Sequence, residues 1–387
     1  MAPTPLEIAI IGAGMGGLAA AATLRQIGLS VTVYEQAQRF GRVGAGIQMM
    51  PNSMKVLRAI GLEEHLAATS FAPYSHLNRT WDSGEVKREL PMPADLFGAP
   101  YLCMHRADLH SALLSALPHE IVHLGMQLVG LEQHGGRVEL AFADGTKRAA
   151  DAVIGADGVH SLVREIIVGP DQPIHKGRIA YRSVFDTALM GNYDIGPSRT
   201  KWWGIDRHIV IYYVKPDRSE VYFVTSVPEA ADWITPESWS ATGDVEELRA
   251  AYEGFHKDVQ TVLGATPSCH KWAILEREPL SHWSDGHVAL LGDACHPMTP
   301  YMAQGAATSI EDAAVLARCL NDAGSEDIPA AFKRYEAHRK PRTSAIQAIS
   351  SANTWMQGRD SDANWLYGYD ACTATLDQPA ASPSAIQ

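Results

Sequence analysis

Four residues near the start of the chain have the types and the spacing needed to hold a dinucleotide. Gly12, Gly14 and Gly17 form a Gly-x-Gly-x-x-Gly pattern, and Glu35 lies about twenty residues beyond them. In this pattern the first glycine permits a tight turn, the second lets backbone approach a pyrophosphate, and the third lets a helix pack on a strand. The acid is placed to accept hydrogen bonds from a ribose diol.

The segments around these glycines are the ones that a nucleotide-binding unit requires. An apolar run, 8–11, precedes the glycines, an Ala-rich stretch from Leu18 to Ile27 follows, and a β-branched run, 31–34, ends at Glu35. This order predicts strand, helix and strand, with the helix N-terminus facing the phosphates. A purely structural glycine turn is the alternative, but the full context favours nucleotide binding. An acid at the strand end favours FAD or NAD over NADP.

Two later turns combine small residues with an acid after an apolar strand. The first is Gly155-Ala156-Asp157-Gly158, which leads into a helix predicted from Ser161 to Ile167. The second is Leu291-Gly292-Asp293-Ala294, followed by Pro300 and then by Gln304-Gly305 near the start of a long helix. Either aspartate could simply form its turn. The neighbouring glycines leave room for a ligand, so we expect both aspartates to contact the cofactor.

Composition and charge exclude several classes of function. The chain has 387 residues, 46% hydrophobic and 20% charged, with a net charge of −12, so it can bury a large core but would repel nucleic acid. We expect no membrane association, because no apolar run is long enough to span a bilayer. The five cysteines form no CxxC pair, which favours reduced thiols in a cytoplasmic protein and no metal site.

The remaining pattern predicts an α/β protein with an inserted sheet. Aromatic-rich, period-2 runs at 180–185, 208–214 and 220–225 predict strands between two parts of a Rossmann-like, FAD-binding domain. We expect domain boundaries at 1–177, 178–275 and 276–387, and strands within 68–100 are candidates to join the inserted, mixed or antiparallel sheet. Further helices are predicted over 53–60, 245–256, 302–320 and 329–351, and a Pro- and Trp-rich connection over 233–239.

Together the three signatures resemble the single-component flavin-dependent aromatic hydroxylases, the group that includes p-hydroxybenzoate and salicylate hydroxylases. The glycine pattern with Glu35, the Asp157 turn and the Asp293 motif stand in register over about 300 residues. The resemblance implies a glutathione-reductase-type, p-hydroxybenzoate hydroxylase fold with C-terminal helices. It also implies tightly but non-covalently bound FAD, NADH or NADPH as a transient reductant, and O2 as the oxygen source.

The resemblance also assigns roles along the FAD. The glycine pattern holds the ADP half, Asp293 binds the ribityl chain, and Arg106 meets the phosphates and ribityl region. The backbone of Gly305 and Ala306, at a helix N-terminus, faces the flavin oxygen where reduction places negative charge. The complete set of expected cofactor contacts is Gly12, Gly14, Met15, Gly16, Gly17, Glu35, Gln36, Arg42, Gln48, Arg106, Leu128, Asp157, Asp293, Pro300, Gly305 and Ala306.

The substrate implied by the resemblance is a hydroxylated aromatic or pyridine carboxylate. A base must remove the ring hydroxyl proton. Tyr212 and His208, four residues apart on a strand, point to one face; we expect Tyr212 to bond the substrate directly, with His208 in support. Both could instead be ordinary sheet residues. Gln48 is expected to bond substrate or flavin. The expected substrate contacts are Arg199, which can receive a carboxylate, Tyr301 and Trp202.

Several alternatives stay open at the level of sequence. The ring acid could be of the salicylate or hydroxybenzoate type, and hydroxylation could occur with or without loss of CO2. A flavoprotein oxidase or dehydrogenase that inserts no oxygen is a different class, as is a nucleotide-sensing protein without catalysis. No second Gly-x-Gly-x-x-Gly pattern follows Gly17, which suits a reductant that binds only transiently. The pattern is compatible with a monomer or a homodimer.

Overall fold

A computed structural model describes residues 5–42, 44–229, 241–356, 362–378 and 380. The described helices are α1 (Met15–Gln26), α2 (Pro51–Ala59), α3 (Glu63–Thr69), α4 (Arg106–Ser115), α5 (Leu162–Val168), α6 (Val245–Ala251), α7 (Lys257–Ala265), α8 (Gly305–Leu320), α9 (Ile328–Ala352) and α10 (Ala363–Tyr367). None of these is long and apolar enough to cross a membrane.

The strands of the described residues form four sheets. In chain order they are β1 (Glu7–Ile11), β2 (Ser30–Glu35), β3 (Gly46–Met49), β4 (Ser75–Thr80), β5 (Val86–Pro91), β6 (Leu102–His105), β7 (Val122–Leu124), β8 (Leu128–His134), β9 (Arg137–Phe142), β10 (Lys147–Ala150), β11 (Ala152–Gly155), β12 (Ile174–Asp186), β13 (Arg199–Trp203), β14 (His208–Tyr213), β15 (Glu220–Pro228), β16 (Thr242–Gly243), β17 (Cys269–Glu276), β18 (Ser284–Asp285) and β19 (Val288–Leu290).

A six-stranded sheet forms the dinucleotide-binding part, in the order β18-β19-β11-β1-β2-β7. The strands β19, β11, β1, β2 and β7 are parallel. In β1 the four residues 8–11 are all buried, as expected for a parallel strand covered on both faces. The predicted strand, glycine turn, helix and strand are therefore confirmed, and the two acid-bearing turns follow the neighbouring strands β11 and β19.

An eight-stranded sheet forms the second layer, in the order β16-β17-β12-β15-β14-β13-β4-β5. Strands β4 and β5, from the first part of the chain, join this sheet, and β4 runs parallel to β13. One face packs on α6 and α7, where Ile209, Ile211 and Phe223 share a core with Leu248 and Val259. Because side chains alternate along a strand, the neighbouring residues point to the opposite face. That second face carries most of the polar side chains discussed below.

A buried ionic network holds α8 in place. Glu311 and Asp312 lie on α8, and Arg339 and Arg342 on α9 pair with them at 2.6–2.9 Å. Asn52 of α2 also donates to Glu311, at 2.6 Å. Breaking a buried pair leaves an uncompensated charge, which typically costs about 3–5 kcal/mol. The network therefore fixes α8, whose first residue faces the cofactor groove, in one position.

Two predicted elements need correction. The helix expected over 245–256 ends at Ala251, as α6, and a separate helix, α7, begins at Lys257, because Gly254 between them has a φ of +79° that no α-helix continues through. The long helix begins at Gly305 and not at Met302, since Ala303 adopts a left-handed conformation. The connection at 233–239 lies outside the described residues.

Candidate functional site: a dinucleotide groove beside a cationic sheet face

The glycine turn after β1 forms an open cradle. Gly12 has a φ of +103°, and a Cβ there would lie 2.4 Å from the carbonyl oxygen of Ala156. A Cβ on Gly17 would lie 2.0 Å from the carbonyl oxygen of Gly12, so α1 can pack this closely against the turn only if residue 17 is a glycine. A Cβ on Gly14 would meet nothing within 4 Å. The first turn of α1 also lacks a side-chain cap and acidic residues, so its amide groups are available to an anion.

Glu35 lies where the sequence predicted, at the end of β2. Its carboxylate accepts hydrogen bonds from the backbone amides of Ala13 and Ala37, both at 2.8 Å. These two bonds fix the carboxylate beside the glycine turn, within reach of the sugar of a nucleotide held there. The adjacent Gln36 is exposed.

A second helix N-terminus faces the same region. The first turn of α8, at Gly305 and Ala306, has neither a side-chain cap nor an acidic residue, and a Cβ on Gly305 would lie 3.7 Å from Oδ1 of Asp293. Arg106 and Asp293 are both exposed, yet the surrounding protein displaces enough water to lower the pKa of Arg106 and raise that of Asp293. Exposure combined with loss of hydration is what a deep groove produces. The positive charge of Arg106 and the negative charge of Asp293 face each other across this groove.

The other expected cofactor residues have varied surroundings. Asp157 accepts hydrogen bonds from Ser161 Oγ at 2.5 Å and from the amide of Val163 at 3.1 Å, so its carboxylate caps α5. Arg42 forms an exposed ion pair with Asp108 at 2.7 Å. Pro300 is exposed, Gly16 packs against Leu291, and Met15 and Leu128 are buried.

Two adjacent strands present Arg199, His208 and Tyr212 on one face. On β13 the residues Arg199, Lys201 and Trp203 alternate with Thr200 and Trp202. The pairing of β13 with β14 places Trp203 opposite His208, so His208 and Tyr212 share the face of Arg199. This face points away from α6 and α7 and towards the dinucleotide-binding part.

The structure does not bring Trp202 to this face. Trp202 points to the opposite side of the sheet, where its ring stacks on His256 at a centroid distance of 4.7 Å. Trp203 lies on the Arg199 face instead. The parity of the strand could have shown this, because residues an even number apart share a face and Trp203 is four residues from Arg199. We therefore replace Trp202 by Trp203 as a candidate substrate contact.

Arg199 is a buried cation that the protein does not neutralise. Its exposed fraction is 7%, and it forms no ion pair or hydrogen bond with the residues that the structure describes. Its positive charge lowers the pKa of His76. It also opposes the rise that burial causes in the pKa of Tyr101 and of Tyr212. These groups therefore surround the guanidinium, and none of them carries the negative charge that it needs.

Tyr212 belongs to a buried hydroxyl network with Gln48. The hydroxyl of Tyr101 donates to Oε1 of Gln48 at 2.6 Å, and the Gln48 side chain is also close enough to Tyr212 to oppose the rise in its pKa. Burial, reinforced by Tyr222, raises the pKa of Tyr212 well above its ordinary value. Tyr212 thus keeps its proton and can donate a hydrogen bond. Tyr101 was missed in the sequence, because no spacing links it to Gln48, which is 53 residues away.

His208 lies in a different part of the same face. Its ring meets the edge of Tyr301 at 5.3 Å, and the Tyr301 hydroxyl bonds Ser226 Oγ at 3.0 Å. Burial, and then Lys201, lowers the pKa of His208 well below its ordinary value, so the ring is neutral and one of its nitrogens can accept a hydrogen bond. A cavity of about 590 Å³ is lined in part by Trp203, His208 and Tyr301.

His208 and Tyr212 are not in contact. Four residues of strand separate them, which is roughly 13 Å between Cα atoms. Direct proton transfer from one side chain to the other is therefore excluded. A single aromatic ring with substituents at both ends can lie between them and contact both.

These features fit an FAD-dependent oxidoreductase with a separate chamber that carries a buried cation. The residues present fit FAD: the open cradle at Gly14, Glu35 and the two uncapped helix N-termini suit a dinucleotide, and Arg106 and Asp293 line the groove between them.

Comparison with known proteins gives the same class. A family model described as an FAD binding domain matches residues 5–350. The 6-hydroxynicotinate 3-monooxygenase of Pseudomonas fluorescens is 44% identical over 98% of this chain and 99% of its own length. The Bordetella bronchiseptica protein of the same name is 43% identical over 96% of this chain and 97% of its own.

Among solved structures, a salicylate hydroxylase in complex with its substrate is 26% identical, with a TM-score of 0.82 over 95% of this chain and 96% of its own. HpxO of Klebsiella pneumoniae, complexed with FAD and uric acid, is 28% identical, with a TM-score of 0.80 over 92% of this chain and 90% of its own. The chain belongs to the FAD-binding-domain family, and within it to the FAD-dependent aromatic monooxygenases. The predicted fold class, enzyme class and cofactor are confirmed.

The open space beside Gly14 gives a test of the groove. Gly14→Ala should fold normally, because the new Cβ meets no protein atom and the backbone at φ −74° suits alanine. The Cβ should nevertheless obstruct a pyrophosphate, so we expect FAD to bind at least about 10-fold more weakly, as measured by titrating FAD into the apoprotein.

Gly264→Ala is the matched control, since its Cβ also meets nothing within 4 Å but it lies in α7, on the far face of the inserted sheet. We expect unchanged FAD affinity for this variant. If Gly14→Ala bound FAD as tightly as the unmodified protein, the proposal that the pyrophosphate lies at this turn would be wrong.

Proposed function

We propose that the protein hydroxylates a ring that carries both a carboxylate and a hydroxyl group, and that 6-hydroxynicotinate is its substrate. NADH or NADPH would supply the electrons and O2 the oxygen atom. The observation that carries the proposal is the buried guanidinium of Arg199, which has no counter-ion among the described residues. The names of the two relatives at 43–44% identity support the choice of ring.

A buried cation without a counter-ion is unfavourable unless a ligand supplies the compensating negative charge. Desolvating a charge costs several kcal/mol, and an arginine is retained as a cation under all ordinary conditions. A planar guanidinium matches a carboxylate with two parallel hydrogen bonds. Lys201 lies two residues away on the same face and donates to Oδ1 of Asn353 at 3.1 Å, and burial together with the charge of Arg199 lowers the pKa of Lys201 well below its ordinary value, so Arg199 is the cation that an anion would meet. The chamber is therefore built for an anion.

The position of the carboxylate decides the chemistry at the ring. Bound FAD, once reduced, activates O2 for transfer of one oxygen atom to an electron-rich ring carbon. In 6-hydroxynicotinate the carboxylate is on C3, para to the hydroxyl, so an oxygen atom placed on C3 displaces CO2. The ring acid as its carboxylate anion, NADH, O2 and two protons then give 2,5-dihydroxypyridine, CO2, NAD+ and water.

Two side chains of the chain can prepare the ring. Electron density at C3 rises when the para hydroxyl loses its proton. Neutral His208 can accept a hydrogen bond from the ring hydroxyl and so assist the loss of its proton, and the protonated Tyr212, close to Gln48, can donate a hydrogen bond at the other end of the chamber. Tyr301 covers the sheet between them, with its hydroxyl fixed on Ser226. Trp203 flanks His208, with ring centroids 5.1 Å apart.

Hydroxybenzoates are the second candidate substrates, because other relatives have names of that type. A 3-amino-4-hydroxybenzoate 2-monooxygenase of Streptomyces cremeus is 38% identical over 89% of this chain and 86% of its own length. These acids would satisfy Arg199 equally well. Discrimination must then come from the groups that meet the ring nitrogen and hydroxyl.

The domain boundaries, the cellular location and the oligomeric state are also part of this proposal. We take 1–177 and 276–387 as the FAD-binding part and 178–275 as the substrate part, with β4 and β5 added to its sheet. All five cysteines are free thiols, four of them buried, which supports a cytoplasmic location. Either a monomer or a homodimer is compatible with the site, because every residue named comes from one chain.

A panel of ring acids tests the function directly. We expect 6-hydroxynicotinate to stimulate NADH oxidation most strongly among 6-hydroxynicotinate, hydroxypicolinate, salicylate and 4-hydroxybenzoate. One NADH and one O2 should be consumed, and one CO2 released, for each dihydroxypyridine formed. NADH oxidation that yields only hydrogen peroxide with every acid would instead indicate an oxidase or a wrong substrate class.

Variants of Tyr212 and His208 test whether these side chains prepare the ring for hydroxylation. Tyr212→Phe and His208→Gln should each lower turnover by about 100-fold, because each removes a proton-handling group that is worth roughly that factor. FAD should stay bound in both, as judged from the visible spectrum. Tyr213→Phe, the neighbour on the opposite face, is the control and should keep full turnover. Unchanged turnover in both test variants would remove these side chains from the reaction.

A further inference from the structure

Strand β4 supplies a row of polar side chains that the sequence did not single out. It runs parallel to β13, with His76 opposite Arg199 and Asn78 opposite Lys201. In a paired strand, residues directly opposite each other point to the same face. Both side chains therefore lie on the face that carries Arg199, at the edge of the chamber next to α10.

His76 is held rigidly but has an unused nitrogen. It is 3% exposed, and its ring stacks on Tyr101 at 4.6 Å and 20° and lies 5.9 Å from the ring of Tyr367. Its Nε2 has no hydrogen-bond partner among the described residues. Two aromatic rings thus fix the plane of the imidazole and leave one edge free for a ligand.

The unused atoms around Arg199 form a group. Nε of Arg199 and Oδ1 of Asn78, whose residue is 2% exposed, also lack partners within the described part of the chain. The amide nitrogen of Asn78 is already committed to the carbonyl oxygen of Met356, at 2.7 Å. Buried polar groups are normally satisfied, so the unpartnered nitrogens of His76 and Arg199 indicate that an acceptor binds beside them, whereas Oδ1 of Asn78 is itself an acceptor and needs a donor.

The charges around His76 show what that ligand should be. Arg199 is the cation that acts on His76, and burial together with Arg199 lowers the pKa of His76 well below its ordinary value. The imidazole is therefore neutral and offers an N–H group. A guanidinium and a neutral N–H side by side, with no acid near them in the described structure, suit the two oxygens of one carboxylate.

We propose that His76 donates a hydrogen bond from Nε2 to the substrate carboxylate held by Arg199, and so makes the site select a ring acid over the same ring without its carboxylate. This inference rests on the proposed function and names a second group in its carboxylate pocket. His76 is then a specificity-determining residue with no part in handling the ring hydroxyl.

The test compares an acid with its carboxylate-free analogue in the FAD-loaded protein. His76→Leu removes the N–H group, whereas His76→Gln keeps a donor at a similar reach. Dissociation constants for 6-hydroxynicotinate and 2-hydroxypyridine are measured from the perturbation of the flavin spectrum. We expect His76→Leu to bind the acid about 10-fold or more weakly and the analogue within twofold of the unmodified protein, and His76→Gln to recover most of the loss.

His270→Leu is the matched control. Its Nδ1 also lacks a partner among the described residues, but it lies on β17, with β12, β15 and β14 between it and Arg199. We expect its preference for acid over analogue to be unchanged.

Two results would overturn the proposal. Equal weakening of acid and analogue in His76→Leu would show that His76 acts only by packing, and unchanged affinity for both would show that its nitrogen binds water. Failure of the proposed function looks different, because the unmodified protein would then show no acid-stimulated NADH oxidation. That result would overturn both proposals.

Discussion

The site depends on a positive charge that the protein buries without neutralising it. Arg199 is fixed on β13 in the middle of an eight-stranded sheet, and among the described residues no carboxylate pairs with it. Its surroundings are hydroxyl groups and neutral imidazoles, which can orient an anion but cannot replace one. The chain as a whole carries a net charge of −12, so the absence of acids around Arg199 is a local property of this face.

The rest of the fold brings this charge to the cofactor. The six-stranded sheet and the two uncapped helices α1 and α8 form a groove for a dinucleotide, and the ionic network of Glu311, Asp312 and their arginines fixes α8. Strand β3 then carries Gln48 from the dinucleotide-binding part to the hydroxyl of Tyr212 on the inserted sheet. Arg182 of that sheet lies close enough for Arg106 of the groove to lower its pKa. The two chambers are thus adjacent.

Local spacing predicted the groove, but it could not predict the chamber. Gly12, Gly14, Gly17 and Glu35 lie within one strand–helix–strand unit, so their separation in sequence fixes their arrangement in space. His76, Tyr101 and Arg199 meet only because β4 joins the sheet beside β13, a parallel pairing of segments more than a hundred residues apart. Side-chain parity was available for Trp202 and would have placed it correctly. The break between α6 and α7 depends on the backbone of Gly254, which a hydrophobic pattern does not reveal.

The affinity of the Arg199→Met variant for a ring acid is the most direct measurement of this account. Methionine fills a similar volume without a charge, and a hydrogen bond to a charged group is worth about 1.5–3 kcal/mol. The dissociation constant for 6-hydroxynicotinate should therefore rise roughly 10- to 100-fold, with FAD still bound. Arg79→Met, on the opposite face of β4, should leave it unchanged. An Arg199→Met protein that binds the acid as tightly as the unmodified protein would contradict the account.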